Sequence, residues 1–250
     1  MHYYIKKAIP NTLTSLNLLS GCLAAYFAFN HFFLESLVFC LIGVFFDFFD
    51  GFFARILKVE DNFGKQLDSL ADIVTSGFVP GIIMYQLFLL SGVKEISYSI
   101  NFKELNFIFS IAPIALFGFL ITVGSAFRLA KFNLSTYSLS HFNGLPAPSN
   151  SILIVSLPSF IAHPLFVDIK PYILNSYSLS IIVLTSVFLM NVKWKMFKIK
   201  LNRGKYIISY PIVLIVISGF LILFLREAGL TLVIIIYLLL CLVKNLINKD

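Results

Sequence analysis

Eight apolar windows, each roughly the 20 residues that an α-helix needs to cross a bilayer, follow one another along this chain. They lie near 12–30, 32–54, 69–90, 106–129, 148–166, 173–192, 207–225 and 228–246. The residues AVILMFWYC fill 59% of the 250 positions and charged residues only 12%. That is too little polarity to cover a surface facing water, so the bilayer is the solvent. The expected fold is all-α, a polytopic membrane helix bundle of about eight transmembrane helices. The fifth window is the weakest, because Pro158 and Pro164 interrupt it. The length fits a single integral-membrane domain over 1–250: a six-helix core (1–192), then a basic loop and two further helices (193–250). The first apolar run, from near Leu13, has no small-residue cleavage site and reads as an ordinary span. Cys22, Cys40 and Cys241 stand singly in apolar runs, which indicates neither a disulfide framework nor a zinc site.

The net charge of +7 is unevenly placed. With the N-terminus in the cytoplasm, fifteen of the nineteen Lys and Arg fall on the inner side of an eight-span chain. This positive-inside bias predicts an integral membrane protein of the bacterial inner or plasma membrane type, with both termini cytoplasmic. It explains the charge without nucleic acid. The basic segment 193–206 alternates cations with Trp194, Met196, Phe197 and Ile199. It is either a plain anchor or a segment lying on an anionic leaflet.

Four aspartates stand where such a chain should reject them. Asp47 and Asp50 lie in VFFDFFDGFFARIL, and Asp68 and Asp72 in FGKQLDSLADIV. Each charge buried at mid-membrane costs about 2.5–3.5 kcal/mol, so four unpaired ones would consume a typical net stability of about 5–15 kcal/mol. A divalent cation would offset that. The pairs are spaced i, i+3 and i, i+4, so each occupies one helix face. An antiparallel hairpin through 55–67 would bring the pairs level near the inner interface. Hard carboxylate oxygens suit Mg²⁺ or Mn²⁺, and two such ions could clamp a phosphoryl displacement. Gly51 and Ala54 clear the aspartate-bearing face. Arg55 either reaches a phosphate as a planar fork or snorkels to the interface. Gly64 reads as an ordinary turn residue.

The string Asp47-x2-Asp50-Gly51-x2-Ala54-Arg55-x8-Gly64-x3-Asp68-x3-Asp72 resembles, at every fixed position, the signature of the CDP-alcohol phosphatidyltransferases. The resemblance implies a helical membrane bundle, usually a homodimer, whose site opens at the cytoplasmic face. It implies a divalent pair held by Asp47, Asp50 and Asp68, with Asp72 joining the metal site and serving as general base. Gly51 and Arg55, with Ala54 beside them, would contact the CDP-lipid donor.

Three further stretches, IPNTLTSLNLLSGCLAA, FRLAKFN (127–133) and FNGLPAPS (142–149), are similar to the membrane-integral phosphatidylserine synthases. They imply CDP-diacylglycerol and L-serine as substrates, with Arg128 and Lys131 binding acceptor or phosphate. Lys131 departs from the arginine of most relatives and loses bidentate recognition. Asn11, Thr12 and Asn17 either touch the cytosine or bond neighbouring helices. Asn143 to Pro146 form either a plain loop or a substrate rim, with Gly144 free to take positive φ. His141 is left out of catalysis. Two alternatives stand beside the serine reading: a family member using glycerol 3-phosphate or an inositol-type acceptor, and a cation transporter.

Overall fold

The computed structural model describes residues 2–102, 105–134, 142–192, 194–196 and 210–247. Helix α1 (His2–Phe29) turns at Asn30–Phe32 into α2 (Phe33–Leu57), and the two pack as an antiparallel pair. Helix α3 runs from Asn62 to Leu90, and α4 from Ala115 to Leu134, its first turn a 3₁₀ segment. Helices α5 (Ala147–Ala162) and α6 (Pro164–Ile173) meet at 97°. Then come α7 (Ser176–Asn191), α8 (Tyr210–Leu225) and α9 (Ala228–Ile247).

Four helices are long and apolar enough to cross a membrane, or five if the bent pair is one span. Shorter apolar helices at Ser176–Asn191, Val213–Leu225 and Ala228–Val243 fall in the last three apolar windows. Each of the eight windows therefore contains helix, but among the described residues only four or five reach spanning length. The fourth window starts later than its hydropathy implies. Residues Leu105–Ile111 are a strand, paired antiparallel with Ile96–Phe102 in the register Ile96↔Ile111 to Phe102↔Leu105. The sequences ISYSINF and LNFIFSI are rich in aromatic and β-branched residues and favour strand, and Pro113 stands just ahead of the helix. The break in the fifth window has the cause its prolines indicate: the chain leaves α5 at His163 with extended backbone, and Pro164 opens the next turn.

The second half of α3 is the centre of the bundle. Ile82, Ile83, Met84, Leu87 and Phe88 are fully buried, against Ala24, Ala28, Leu37 and Cys40 of α1 and α2. A helix apolar all round, as VPGIIMYQLFLL is, belongs inside. Pro80 in its path has a local consequence. Proline offers no N–H to the carbonyl one helical turn before it, and the helix relaxes into a π segment at Ile73–Phe78. The loosened carbonyls are taken up by side chains from other helices. Ser151 Oγ donates to Thr75 O (3.1 Å), Ser125 Oγ to Ser76 O (3.3 Å) and Thr122 Oγ1 to Gly77 O (2.9 Å).

Helices α8 and α9 pack onto this core through Leu214, Tyr237 and Cys241, and a Ser156–Thr231 hydroxyl pair at 2.7 Å joins α5 to α9. The segment ahead of α5 is pinned to the end of α7. Gly144 N donates to Trp194 O, and Leu145 N to Leu189 O. Gly144 has φ +74°, and a Cβ there would stand 2.5 Å from Met190 O. Gly144→Ala therefore meets both a left-handed backbone cost of about 1–2 kcal/mol and a carbonyl clash. It should lower the thermal unfolding midpoint in detergent clearly more than Gly219→Ala, where a Cβ meets nothing within 4 Å.

Candidate active site

Helix α2 ends at Lys58, which takes the left-handed conformation (φ 55°) and donates to Arg55 O, while Val59 N donates to Ala54 O. The connection to α3 is thus only Lys58 to Asp61, shorter than the expected 55–67. Asp61 caps α3: its Oδ1 accepts from Gly64 N at 2.8 Å. Gly64 is therefore part of the first helical turn, not the end of a loop. A Cβ on it would press within 3.0 Å of the capping oxygen. Lys7 of α1 forms an ion pair with Asp61 Oδ2 and sits 5.6 Å over the Phe63 ring. The Lys7 hydrogen bond, followed by that from Gly64 N, holds the Asp61 carboxyl below the ordinary carboxylate range.

This short turn does what the helical spacing requires. Asp47, Asp50 and Asp68 each offer a carboxylate oxygen, all within 4.8 Å of one another. Asp47 is also within electrostatic range of Asp72. Asp72 is buried one turn further along α3 and does not belong to the mutual set of three. The three-carboxylate set fits a hard divalent ion by its all-oxygen chemistry, and Asp68 Oδ1 is buried with no protein partner.

Two of the three, Asp50 and Asp68, line a cavity of about 410 Å³ where α1, α2 and α3 converge. Asn11 and Thr14 line it from α1, Asp50, Gly51 and Ala54 from α2, and Lys65 from α3. A Cβ built on Gly51 meets nothing within 4 Å, so this glycine opens the cavity rather than packing a helix.

The other expected site residues separate. Thr12 is exposed, and its hydroxyl donates to Ala8 O within its own helix. Arg55 is exposed in the last turn of α2 and is not among the residues lining the cavity. Arg128 is within electrostatic range of Asp72, and its Nε is buried without a protein partner. Lys131 is exposed, lines a separate groove between α4 and α7, and donates to Asn191 Oδ1 at 3.3 Å. In the same FRLAKFN segment, Asn133 Nδ2 donates to Ser69 Oγ at 2.7 Å, bracing the residue next to Asp68. His141 and most of the basic segment 193–206 lie outside the described residues.

Sequence reasoning passed over Thr14 and Lys65. Thr14 Oγ1 lies 2.6 Å from Asp50 Oδ2 as donor, with Pro10 O a second acceptor at 3.0 Å. Its signal was faint: position 14 is one helical turn after Pro10 and one before Leu18, on the buried face that also carries Asn17. Lys65 directly follows the family glycine, Gly64, and brings a cation to the cavity.

Comparison with known proteins agrees with this geometry. The family model described as CDP-alcohol phosphatidyltransferase matches residues 7–189, which contain all of the site. The chain belongs to that family. As a CDP-alcohol phosphatidyltransferase it is 31% identical over 161 residues to the CDP-diacylglycerol–serine O-phosphatidyltransferase of Bacillus subtilis (strain 168), covering 64% of this chain and 80% of the relative. It is 31% identical over 151 residues to the archaetidylserine synthase of Methanothermobacter thermautotrophicus, covering 60% and 57%. It is 29% identical over 207 residues to the CDP-diacylglycerol–serine O-phosphatidyltransferase of Helicobacter pylori (strain 26695), covering 80% and 77%.

Groups that hold a metal ligand in place commonly matter about 10–100-fold to affinity. Thr14→Val keeps shape and removes the hydroxyl beside Asp50. It should weaken Mn²⁺ binding to the detergent-solubilised phosphatidyltransferase by about that factor, read by electron paramagnetic resonance. Asp50→Ala should weaken it more, and Thr12→Val should leave it unchanged.

Proposed function

We propose that the protein transfers the phosphatidyl group of CDP-diacylglycerol to the hydroxyl of L-serine, giving phosphatidylserine and CMP. The observation that carries the acceptor is that Arg128 lies within electrostatic range of Asp72, while Lys131 turns away to Asn191. Serine brings a single carboxylate, which one guanidinium can hold. Glycerol 3-phosphate or an inositol phosphate brings a doubly charged group, and such a site would call for more cations than Arg128. The relatives support the same acceptor: two are named as serine O-phosphatidyltransferases and one as an archaetidylserine synthase. The last name differs in its lipid half, not in serine.

In this reading the donor's CDP end occupies the cavity beside Gly51, Ala54 and Asn11, with Lys65 as the cation lining it. Asp47, Asp50 and Asp68, with Asp72 adjoining, would hold Mg²⁺ or Mn²⁺, which supplies positive charge against the pyrophosphate. Arg128 orients the serine carboxylate so that the hydroxyl faces the β-phosphorus. As the new P–O bond forms, Asp72 accepts the hydroxyl proton. The bond to the α-phosphate oxygen breaks, and CMP leaves with that electron pair. The site opens to the cytoplasm, a placement supported by the fifteen-to-four distribution of Lys and Arg. The active form is a homodimer, as the family resemblance implies.

Purified protein given CDP-diacylglycerol and Mn²⁺ should release CMP with serine, and at most weakly with glycerol 3-phosphate or inositol phosphate. Preference for either phosphorylated acceptor would overturn the serine assignment. Asp72→Asn keeps shape and one oxygen but cannot take the proton. General-base loss costs about 10²–10⁴-fold, so Asp72→Asn should bind donor nearly as the parent does and turn over at least about 100-fold more slowly. Near-parent turnover would remove Asp72 as the base.

A further inference from the structure

Two residues outside the aspartate signature touch Asp72 directly or at one remove, and both are shut away from solvent. Asn17 is 0% exposed and Thr75 1%, so no water can stand in for either. Asn17 Nδ2 donates to Asp72 Oδ1 at 3.3 Å. Thr75 Oγ1 lies 2.7 Å from Asn17 Oδ1 and 3.3 Å from Asn17 O. Both of those partners are acceptors, so the threonine hydroxyl is the donor, and the shorter contact takes its single proton. The Asp72 carboxylate, which can only accept, settles which way the amide faces, and Thr75 anchors its oxygen end. With the amide reversed, Oδ1 would confront the Asp72 carboxylate, acceptor against acceptor.

We propose that Thr75 is a positioning residue for the transfer. Its hydroxyl anchors the Asn17 amide, Asn17 holds Asp72 Oδ1, and the orientation of the carboxylate that takes the acceptor's proton is thereby fixed. The inference rests on the role given to Asp72 above.

The surroundings of Thr75 fit a fixed reference point rather than a filler. Its side chain is wedged between α1 and α2. A Cβ on Gly21 would stand 2.5 Å from Thr75 Oγ1, and one on Gly43 would stand 2.7 Å from Thr75 Cγ2. Hydroxyl and methyl thus each have a seat that only glycine leaves open. The backbone is held as well: Thr75 O accepts Ser151 Oγ from α5 and the thiol of Cys40 from α2 (3.8 Å). Thr75 stands in the π segment, and its O is open to these donors because Val79 N bonds Val74 O and Pro80, the next residue, has no N–H to offer. Such segments recur at functional sites. Here the segment begins at Ile73, directly after Asp72.

Three variants decide the matter, each measured with whichever acceptor the screen above returns, so that a wrong acceptor does not obscure the result. Thr75→Val keeps volume and loses the hydroxyl, Thr75→Ser keeps the hydroxyl and loses the methyl, and Asn17→Ala removes the link. Misplacement of a reacting group by about 1 Å costs about 10²-fold. Thr75→Val and Asn17→Ala should therefore lower kcat by about 10²-fold, with the donor KM near the parent's. Thr75→Ser should keep most of the kcat. Introduced into Asp72→Asn, Thr75→Val should add no further loss, because it acts through Asp72.

Parent-like kcat for Thr75→Val, an equal fall for Thr75→Ser, or additive losses in the double variant would overturn the proposal. If Thr75→Val does not fold, Asn17→Ala is read by the same criteria. Thermal unfolding supplies a readout free of any acceptor: the shifts from Asn17→Ala and Thr75→Val should be non-additive, and additive shifts would likewise overturn the pairing.

Discussion

Carboxylates inside an apolar bundle have to be matched by donors or cations, and the organisation of this protein follows from meeting that demand at one end of three helices. Asp47 and Asp50 come from α2, Asp68 and Asp72 from α3, and α1 supplies the hydroxyl of Thr14 and the amide of Asn17. The donors leave the demand partly unmet. Asp68 Oδ1 has no protein partner, and three carboxylates converge within 4.8 Å of one another. Such a cluster is stable in company with a divalent ion and strained without one. Folding and loading of the site are therefore linked.

The catalytic end and the core also share one device. Pro80 breaks the ladder of α3, and hydroxyls of Thr122, Ser125 and Ser151 collect the released carbonyls. Two neighbouring helices, α4 and α5, thereby attach to α3 directly below Asp72. Hydroxyl-to-carbonyl bonds of this kind tie helices together where hydrophobic association is weak, as in lipid. Rigidity at the reacting end is obtained from the same residues that hold the bundle.

Much of the site was legible in the sequence, because helical periodicity converts i, i+3 and i, i+4 into shared faces with little help from tertiary context. The aspartates, Gly51, Ala54 and Asn11 are together in the structure for that reason. Hydropathy served less well at 105–111, because an apolar run does not distinguish helix from strand and the pairing with 96–102 is a non-local matter. Asp61 and Gly64 form a cap rather than a loop, a distinction of one hydrogen bond that composition does not carry. Thr14 and Thr75 were hidden more deeply. A threonine in an apolar helix reads as neutral until its neighbours are known, and the value of Thr75 depends on glycines 54 and 32 positions away in the chain. The divergence of FRLAKFN, with Asn133 bonded to Ser69, Lys131 to Asn191 and Arg128 in electrostatic range of Asp72, likewise requires the assembled bundle.

The ion pair of Lys7 with Asp61 has a consequence for how the cavity mouth responds to its surroundings. Asp61 is held below the ordinary carboxylate range, so its charge persists through neutral pH. What that pairing contributes is present above the unfolded carboxylate value and is lost only as pH falls through the lower, folded value. Salt acts differently. The pair is partly solvent-accessible, so added salt weakens it. The latch between the start of α1 and the cap of α3 is thus indifferent to mild acidification and sensitive to ions. At this rim, an anionic lipid headgroup competing for Lys7 would loosen the mouth more readily than a drop in pH.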